Sequence, residues 1–219
     1  MTQIVFVLFP GVTQLDMTGP AQVLSRIPGG TVAVAARTLD PVGTDSGFAL
    51  VPTAIFDNAP QSDILCVPGG HGVTEALGDH ATVDFIRRQA LGAKWVTSVC
   101  TGAFLLGRAG LLEGKSATTH WAYTHLLPLV GARHVAERVV EDGNVITAGG
   151  VTAGIDFALT LTARYAGEEA ARRVQLALEY DPHPPFDSGS PSSAGEERLR
   201  ALKAQIYDAA AARMGAALV

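Results

Sequence analysis

Short runs that are apolar at odd and even positions alike recur along the chain: QIVFVLF at 3–9, TVAVAAR at 31–37, DILCVPGG at 63–70, KWVTSVC at 94–100 and NVITAGG at 144–150. Each predicts a strand buried on both faces, since such a run leaves no side for water and its β-branched residues pack well on a pleat. Helical patterns lie between them, at PAQVLSRI (20–27), ATVDFIRRQALG (81–92) and AFLLGRAGLL (103–112). The alternation predicts an α/β three-layer sandwich: a mostly parallel central sheet covered by helices on both sides. Several of these runs end in Pro or Gly, and open α/β sheets carry their sites beyond the carboxyl ends of strands. Functional residues are therefore sought there.

The remaining patterns complete the layout. DSGFALVPTAIF (45–56) alternates as a hairpin or edge strands do, and RVVEDGNVIT (138–147) carries an Asp-Gly turn between two runs. From residue 151 the pattern becomes helical, in VTAGIDFALTLTARYAG and EEAARRVQLALEY. The stretch 181–195, DPHPPFDSGSPSSAG, has the composition of a linker, but only a helix at 196–216 follows it. Residues 1–219 are accordingly expected to form one domain with an ordered arm and a terminal helix, in line with the usual size of a single core.

Composition narrows the function classes. A net charge of −5 and the lack of Lys/Arg runs leave no face for phosphates, which argues against nucleic-acid binding. The first apolar segment has no basic leader and stops at Pro10, a strand's length, so neither a signal peptide nor a membrane span is expected. Two cysteines make a disulfide framework improbable and suit a reducing cytoplasm. Six scattered histidines show no zinc spacing, so no metal is expected. The mean hydropathy of +0.24 implies apolar surface that a second copy would cover, hence a homodimer.

Four stretches carry candidate chemistry. In WVTSVCTGAFLLG (95–107), Cys100 stands where a strand gives way to a helix. A sulfur there can face the unpaired N–H groups of the helix start, which lowers a thiol pKa from about 8.5 toward neutrality. The same turn serves as the nucleophile elbow of α/β hydrolases. Cys66, deep within a strand, reads as a small core hydrophobe. In VPGGHG (67–72), Gly69 and Gly70 could bring backbone N–H groups to a ligand. AGGVTAGID (148–156) repeats the pattern, placing Gly150 and Val151 toward the same pocket. In VTQLDMTGP (12–20), Asp16 precedes a helix whose start is marked by Thr18 and Pro20; it is a helix cap or a carboxyl beside the elbow. His120 and Trp121 of TTHWAY are candidate pocket walls, against the ordinary role of a satisfied structural histidine.

Taken together, LFPGVTQLDMTGP, VPGG, TSVCTGAFLLGRAGLLEGKSATTHW, AGGVTAGIDFALTL and VQLALEYDPHPPFDSGSP resemble the ThiJ/PfpI superfamily over nearly the whole chain. Within it they are most similar to the isocyanide hydratase branch. The resemblance implies a flavodoxin-like, class I glutamine amidotransferase-like fold and a homodimer. It implies hydration of a small-molecule isocyanide without cofactor, with Cys100 as nucleophile and Asp16 as proton carrier. Thr101 and the N–H groups near Gly70 would position acid and substrate. Peptidase branches carry a histidine directly after the cysteine, where this chain has Thr101, and the late His-x-Glu pair of amidotransferases is absent. Glyoxalase and deglycase members carry a glutamate near the first strand, where this chain has the shorter Asp16. Two alternatives remain at this level: another activity on small electrophiles, and a ligand-sensing domain like that of AraC-type regulators. The latter continue into a helix-turn-helix region, whereas this chain ends at Val219.

Overall fold

Strand β1 (Thr2–Val7) lies inside the sheet and buries every residue but Gln3. The computed structural model describes residues 1–219. The other strands are β2 (Gly30–Ala36), β3 (Ala54–Ile55), β4 (Ile64–Val67), β5 (Trp95–Val99), β6 (Val139–Asp142) and β7 (Val145–Ala148). They form one sheet in the order β6-β7-β5-β4-β1-β2-β3, parallel throughout except where β6 returns against β7. All five predicted runs are thus parallel neighbours, as their two-sided apolar pattern requires. The Asp-Gly signal makes the β6–β7 hairpin, with Gly143 at φ +66°. The 45–56 stretch is split: Ala49–Leu50 pairs with Val42–Gly43 in a separate ribbon, while β3 joins the sheet edge.

Helices α1 (Gln14–Leu24), α4 (Ala153–Ala166) and α5 (Glu168–Ala177) pack together, while α2 (His80–Gly92) and α3 (Gly102–Arg108) pack with each other and with β4. Two helix starts or ends differ from expectation. Helix α1 begins at Gln14, so Asp16 sits in its first turn and Pro20 falls inside the helix. Pro20 leaves only the Asp16 carbonyl without its i+4 donor, and its ring fills space beside Gly154, where a Cβ would come within 3.0 Å of Pro20 Cγ. Helix α3 stops at Arg108, two residues before Gly110 at φ +80°, a conformation suited to chain reversal. The 3₁₀ stretch Trp121–Val130 was not evident from the pattern. After the arm, the chain runs through α6 (Glu196–Leu202), a π-turn (Lys203–Tyr207) and α7 (Asp208–Leu218). One hydrophobic core extends from Ile4 to Leu218, so the terminal helix shares it. No helix is long and apolar enough to cross a membrane.

Candidate active site

Strand β5 delivers Cys100 at φ +56°, a left-handed conformation that costs a non-glycine residue energy and persists only where its surroundings hold it. Here they do: its N–H donates to the carbonyls of Ala148 (3.1 Å) and Gly149 (2.9 Å), and its carbonyl accepts from the Thr119 hydroxyl at 2.7 Å. Gly102 then opens α3 against β4, where any Cβ would lie 2.2 Å from the Val67 carbonyl oxygen. The elbow therefore needs the Cys-Thr-Gly order, with no side chain at the third place. Val151 faces it from the end of β7, also strained, at φ +27°. The backbone N–H groups of Thr101 and Val151 both reach the Cys100 sulfur.

Asp16 comes to the elbow from the first turn of α1. Its Oδ2 accepts from the Gly69 N–H at 3.0 Å, and its Oδ1 is buried with no hydrogen-bond partner in the protein. The carboxyl is not a cap of its own helix: it faces Gly69 and the Cys100 thiol. Gly69 is required for this approach, because a Cβ there would lie 2.6 Å from the Thr101 nitrogen, 2.7 Å from Thr101 Oγ1 and 2.9 Å from Asp16 Oδ2. Thr101 grips the neighbouring residue instead of the acid. Its hydroxyl accepts from the Gly70 N–H at 3.0 Å and lies 3.3 Å from the Gly70 carbonyl. The expectation that the Gly69 and Gly70 N–H groups form a free donor pair for substrate is thereby corrected: Asp16 and Thr101 already occupy them.

Burial controls the charges. Removal from water pushes the Asp16 carboxyl up to about 7, against the lowering pull of the Gly69 N–H and the Cys100 thiol. Burial first, and the neighbouring Asp16 charge second, push the Cys100 thiol well above its usual range, even though the Thr101 and Val151 donors favour the thiolate. The thiolate expected from the helix start is thus not the resting form. A helix of only seven residues lends its N–H groups but does not restore the lost hydration of a charge. Near pH 7 the thiol keeps its proton while the acid, its pKa at about 7, is close to half-ionised, so the pair in part consists of a thiol beside a carboxylate able to take its proton. Burial pushes the Cys66 thiol up to about 12, as its core position implies.

The site opens into a cavity of about 310 Å³. Of the sequence candidates, Cys100, Thr101, Gly70, His120 and Val151 line it. Asp16 and Gly69 lie beneath, buried against Cys100 and Thr101. Gly150 stands behind, where a Cβ would meet His120 Cδ2 at 2.6 Å, so it makes room for that ring. Trp121 points elsewhere, into a small cavity with the arm residues Ser190 and Pro191. His120 Nδ1 accepts from the Ala122 N–H at 3.3 Å, and burial pushes its pKa down to about 4; the ring is neutral with its proton on Nε2. No three His, Cys, Asp or Glu side chains converge as metal ligands would.

Residues 2–164 match the DJ-1/PfpI family model. The chain belongs to the DJ-1/PfpI family. A Pseudomonas putida protein named isonitrile hydratase is 53% identical over 222 residues, covering 97% of each chain. The crystal structure of a ThiJ/PfpI family protein from Pseudomonas syringae superposes with a TM-score of 0.95 at 38% identity, covering 99% of this chain and 90% of that one. The transcriptional regulator GbdR of Pseudomonas aeruginosa is 33% identical over 146 residues, which span 64% of this chain and 38% of the regulator.

This DJ-1/PfpI site also contains groups that pattern reading missed. Thr13, Asp45, Ser46 and His71 also line the cavity, with the Thr13 hydroxyl donating to Asp45. Tyr123 and Tyr207 join His120 in a cluster of rings in the lining. Tyr207 had a legible signal: it begins the stripe Tyr207, Ala210, Ala211, Met214, Leu218, whose last four members are buried. The loop residues 45–46 and 71 had none, because no periodicity marks a loop that folds over a distant strand end.

Proposed function

We propose that this protein hydrates isocyanides (isonitriles) to N-substituted formamides by covalent catalysis at Cys100. The Pseudomonas putida relative supplies the substrate class. The observation that carries the chemistry is the buried Cys100–Asp16 pair at the cavity floor, with its acid poised near neutrality. The terminal carbon of R–NC must accept a nucleophile and a proton. With Asp16 ionised, Cys100 passes its proton to that carboxylate and its sulfur bonds to the terminal carbon, while Asp16 gives the proton on to the same carbon, giving the thioimidate S–CH=N–R. Asp16, now ionised, takes a proton from water as the hydroxyl adds and relays it to nitrogen. Collapse moves the hydroxyl proton back to Asp16, expels the cysteine sulfur and releases R–NH–CHO. Asp16 then hands this proton to the departing sulfur, so water is consumed once and the pair ends, as it began, as thiol and carboxylate.

The same roles explain the surroundings. The Thr101 and Val151 N–H groups stabilise sulfur while it carries charge, in attack and in release. Thr101 fixes the Gly70 turn, and Gly69 fixes Asp16 Oδ2 so that Oδ1 is left for proton transfer. This reading treats residues 1–219 as one domain, working as a homodimer in a reducing cytoplasm, with a small molecule as its only reaction partner. Incubation of the purified protein with an aryl isocyanide, followed by ultraviolet absorbance, should show stoichiometric formation of the N-aryl formamide. Absence of turnover together with consumption of a small aldehyde would replace the hydratase with a glyoxalase-type reading.

A further inference from the structure

The cavity lining contains two distinct side-chain clusters. Thr13, Asp45 and Ser46 form a hydrogen-bonded polar cluster in its lining, whereas His120, Tyr123 and Tyr207 form a cluster of rings. Tyr207 is the hub of those rings, its centroid 5.1 Å from His120 and 6.0 Å from Tyr123. Trp121, which does not line this cavity, packs edge-on against the Tyr207 ring at 5.1 Å. Tyr207 lies beyond the 2–164 segment that matches the family model, so the family-wide fold does not supply this wall. It is supplied by the terminal helix, whose Ala210 and Ala211 let it approach closely while Met214 and Leu218 anchor it in the core. The π-turn at Lys203–Tyr207 ends on this residue, and π-turns inside helices recur at functional sites.

We propose that Tyr207 determines specificity for the nitrogen substituent of the isocyanide, selecting a flat aromatic group over a small alkyl group. This rests on the hydratase reading. A cavity of about 150 Å³ is enough for a benzene ring, so 310 Å³ holds a ring, the isocyano group and a water. With the carbon held at Cys100, the substituent lies against the cluster of rings and the water is held by the polar cluster. Ring pairs prefer offset or edge-to-face contact at about 4.5–7 Å, the spacing these side chains already keep among themselves. His120 contributes as a neutral ring, not a cation, because its pKa is pushed down to about 4. The Tyr207 ring, not its hydroxyl, makes the selection.

The test compares phenyl isocyanide with methyl isocyanide, by kcat/KM, in the unaltered protein, Tyr207→Phe and Tyr207→Leu. The unaltered protein and Tyr207→Phe should share one phenyl-over-methyl preference. In Tyr207→Leu, which keeps an apolar side chain against the core, that preference should fall roughly tenfold, mainly through KM for the phenyl substrate. Equal losses for both substrates in a folded Tyr207→Leu protein would overturn the role of Tyr207 and leave the hydratase reading intact. A preference lost equally in Tyr207→Phe would overturn the assignment to the ring. No turnover of either substrate by the unaltered protein would overturn the hydratase reading, and this inference with it.

Discussion

Replacement of Asp16 by asparagine should make the protein slower and, above neutral pH, more stable. The carboxyl sits in a site 1% exposed, and burial holds its pKa at about 7 in place of 3.8. Between those two values the folded protein keeps a proton that the unfolded chain has lost. Raising the pH through that window therefore disfavours folding, and the loss is complete above about 7. About three pH units at about 1.4 kcal/mol each make it about 4 kcal/mol. Asparagine is neutral throughout and escapes this loss, but it buries an amide N–H where Oδ1 has no partner, at a cost of about 1–3 kcal/mol. Urea unfolding at pH 4.5 should thus rank the unaltered protein ahead. At pH 8 the order should reverse by about 1–3 kcal/mol, or several degrees in melting temperature for a chain of this size. His120 acts in the opposite sense, since its lowered pKa makes stability rise with pH between about 4 and 6.5. Both proteins share that contribution, so the difference between them isolates Asp16. Formamide production by the variant should drop about 10²- to 10⁴-fold, because an amide cannot relay protons. Parallel stability curves from pH 4.5 to 8 would refute the buried-acid argument, and near-normal turnover by a folded variant would remove Asp16 from the mechanism.

Iodoacetamide should label Cys100, which lines the cavity, well before the core thiol Cys66, and more slowly than an exposed cysteine below pH 8 because burial holds its proton; equal labelling by mass spectrometry would contradict the elbow. Gly69→Ala should cost at least about 100-fold in turnover with the fold intact by circular dichroism, because its Cβ would enter the space between Thr101 and Asp16 Oδ2; an active alanine variant would show that the acid need not sit there. Light scattering at micromolar concentration should give the mass of a dimer, and a monomer mass would count against the expected homodimer.

Local chemistry alone settled the parallel sheet and the elbow. A run apolar at both parities, such as Ile64–Val67, has no stable place except between two covered faces, so the strand assignment follows from solvation. Cys100 followed by a helix-forming run likewise announced a strand-to-helix turn, and the glycine two places on met the contact that its position requires. Pro20 ordinarily marks a first turn, so the pattern places the start of α1 later than Gln14; the sequence does not show that the ring would fill the gap left by Gly154. The acidity of the site was beyond sequence reading for the same reason. Whether a helix start lowers a thiol pKa or burial raises it depends on how much water the surrounding chain excludes. Here α1, the Gly69–Gly70 turn and Val151 close over Cys100 from separate parts of the chain. The aromatic wall depends on a still longer connection, because Tyr207 reaches His120 only once the terminal helix has docked on the core. Spacing along the chain encodes which face an element buries, while the dielectric and the walls of the cavity are set by elements far apart in sequence, and only packing brings those together.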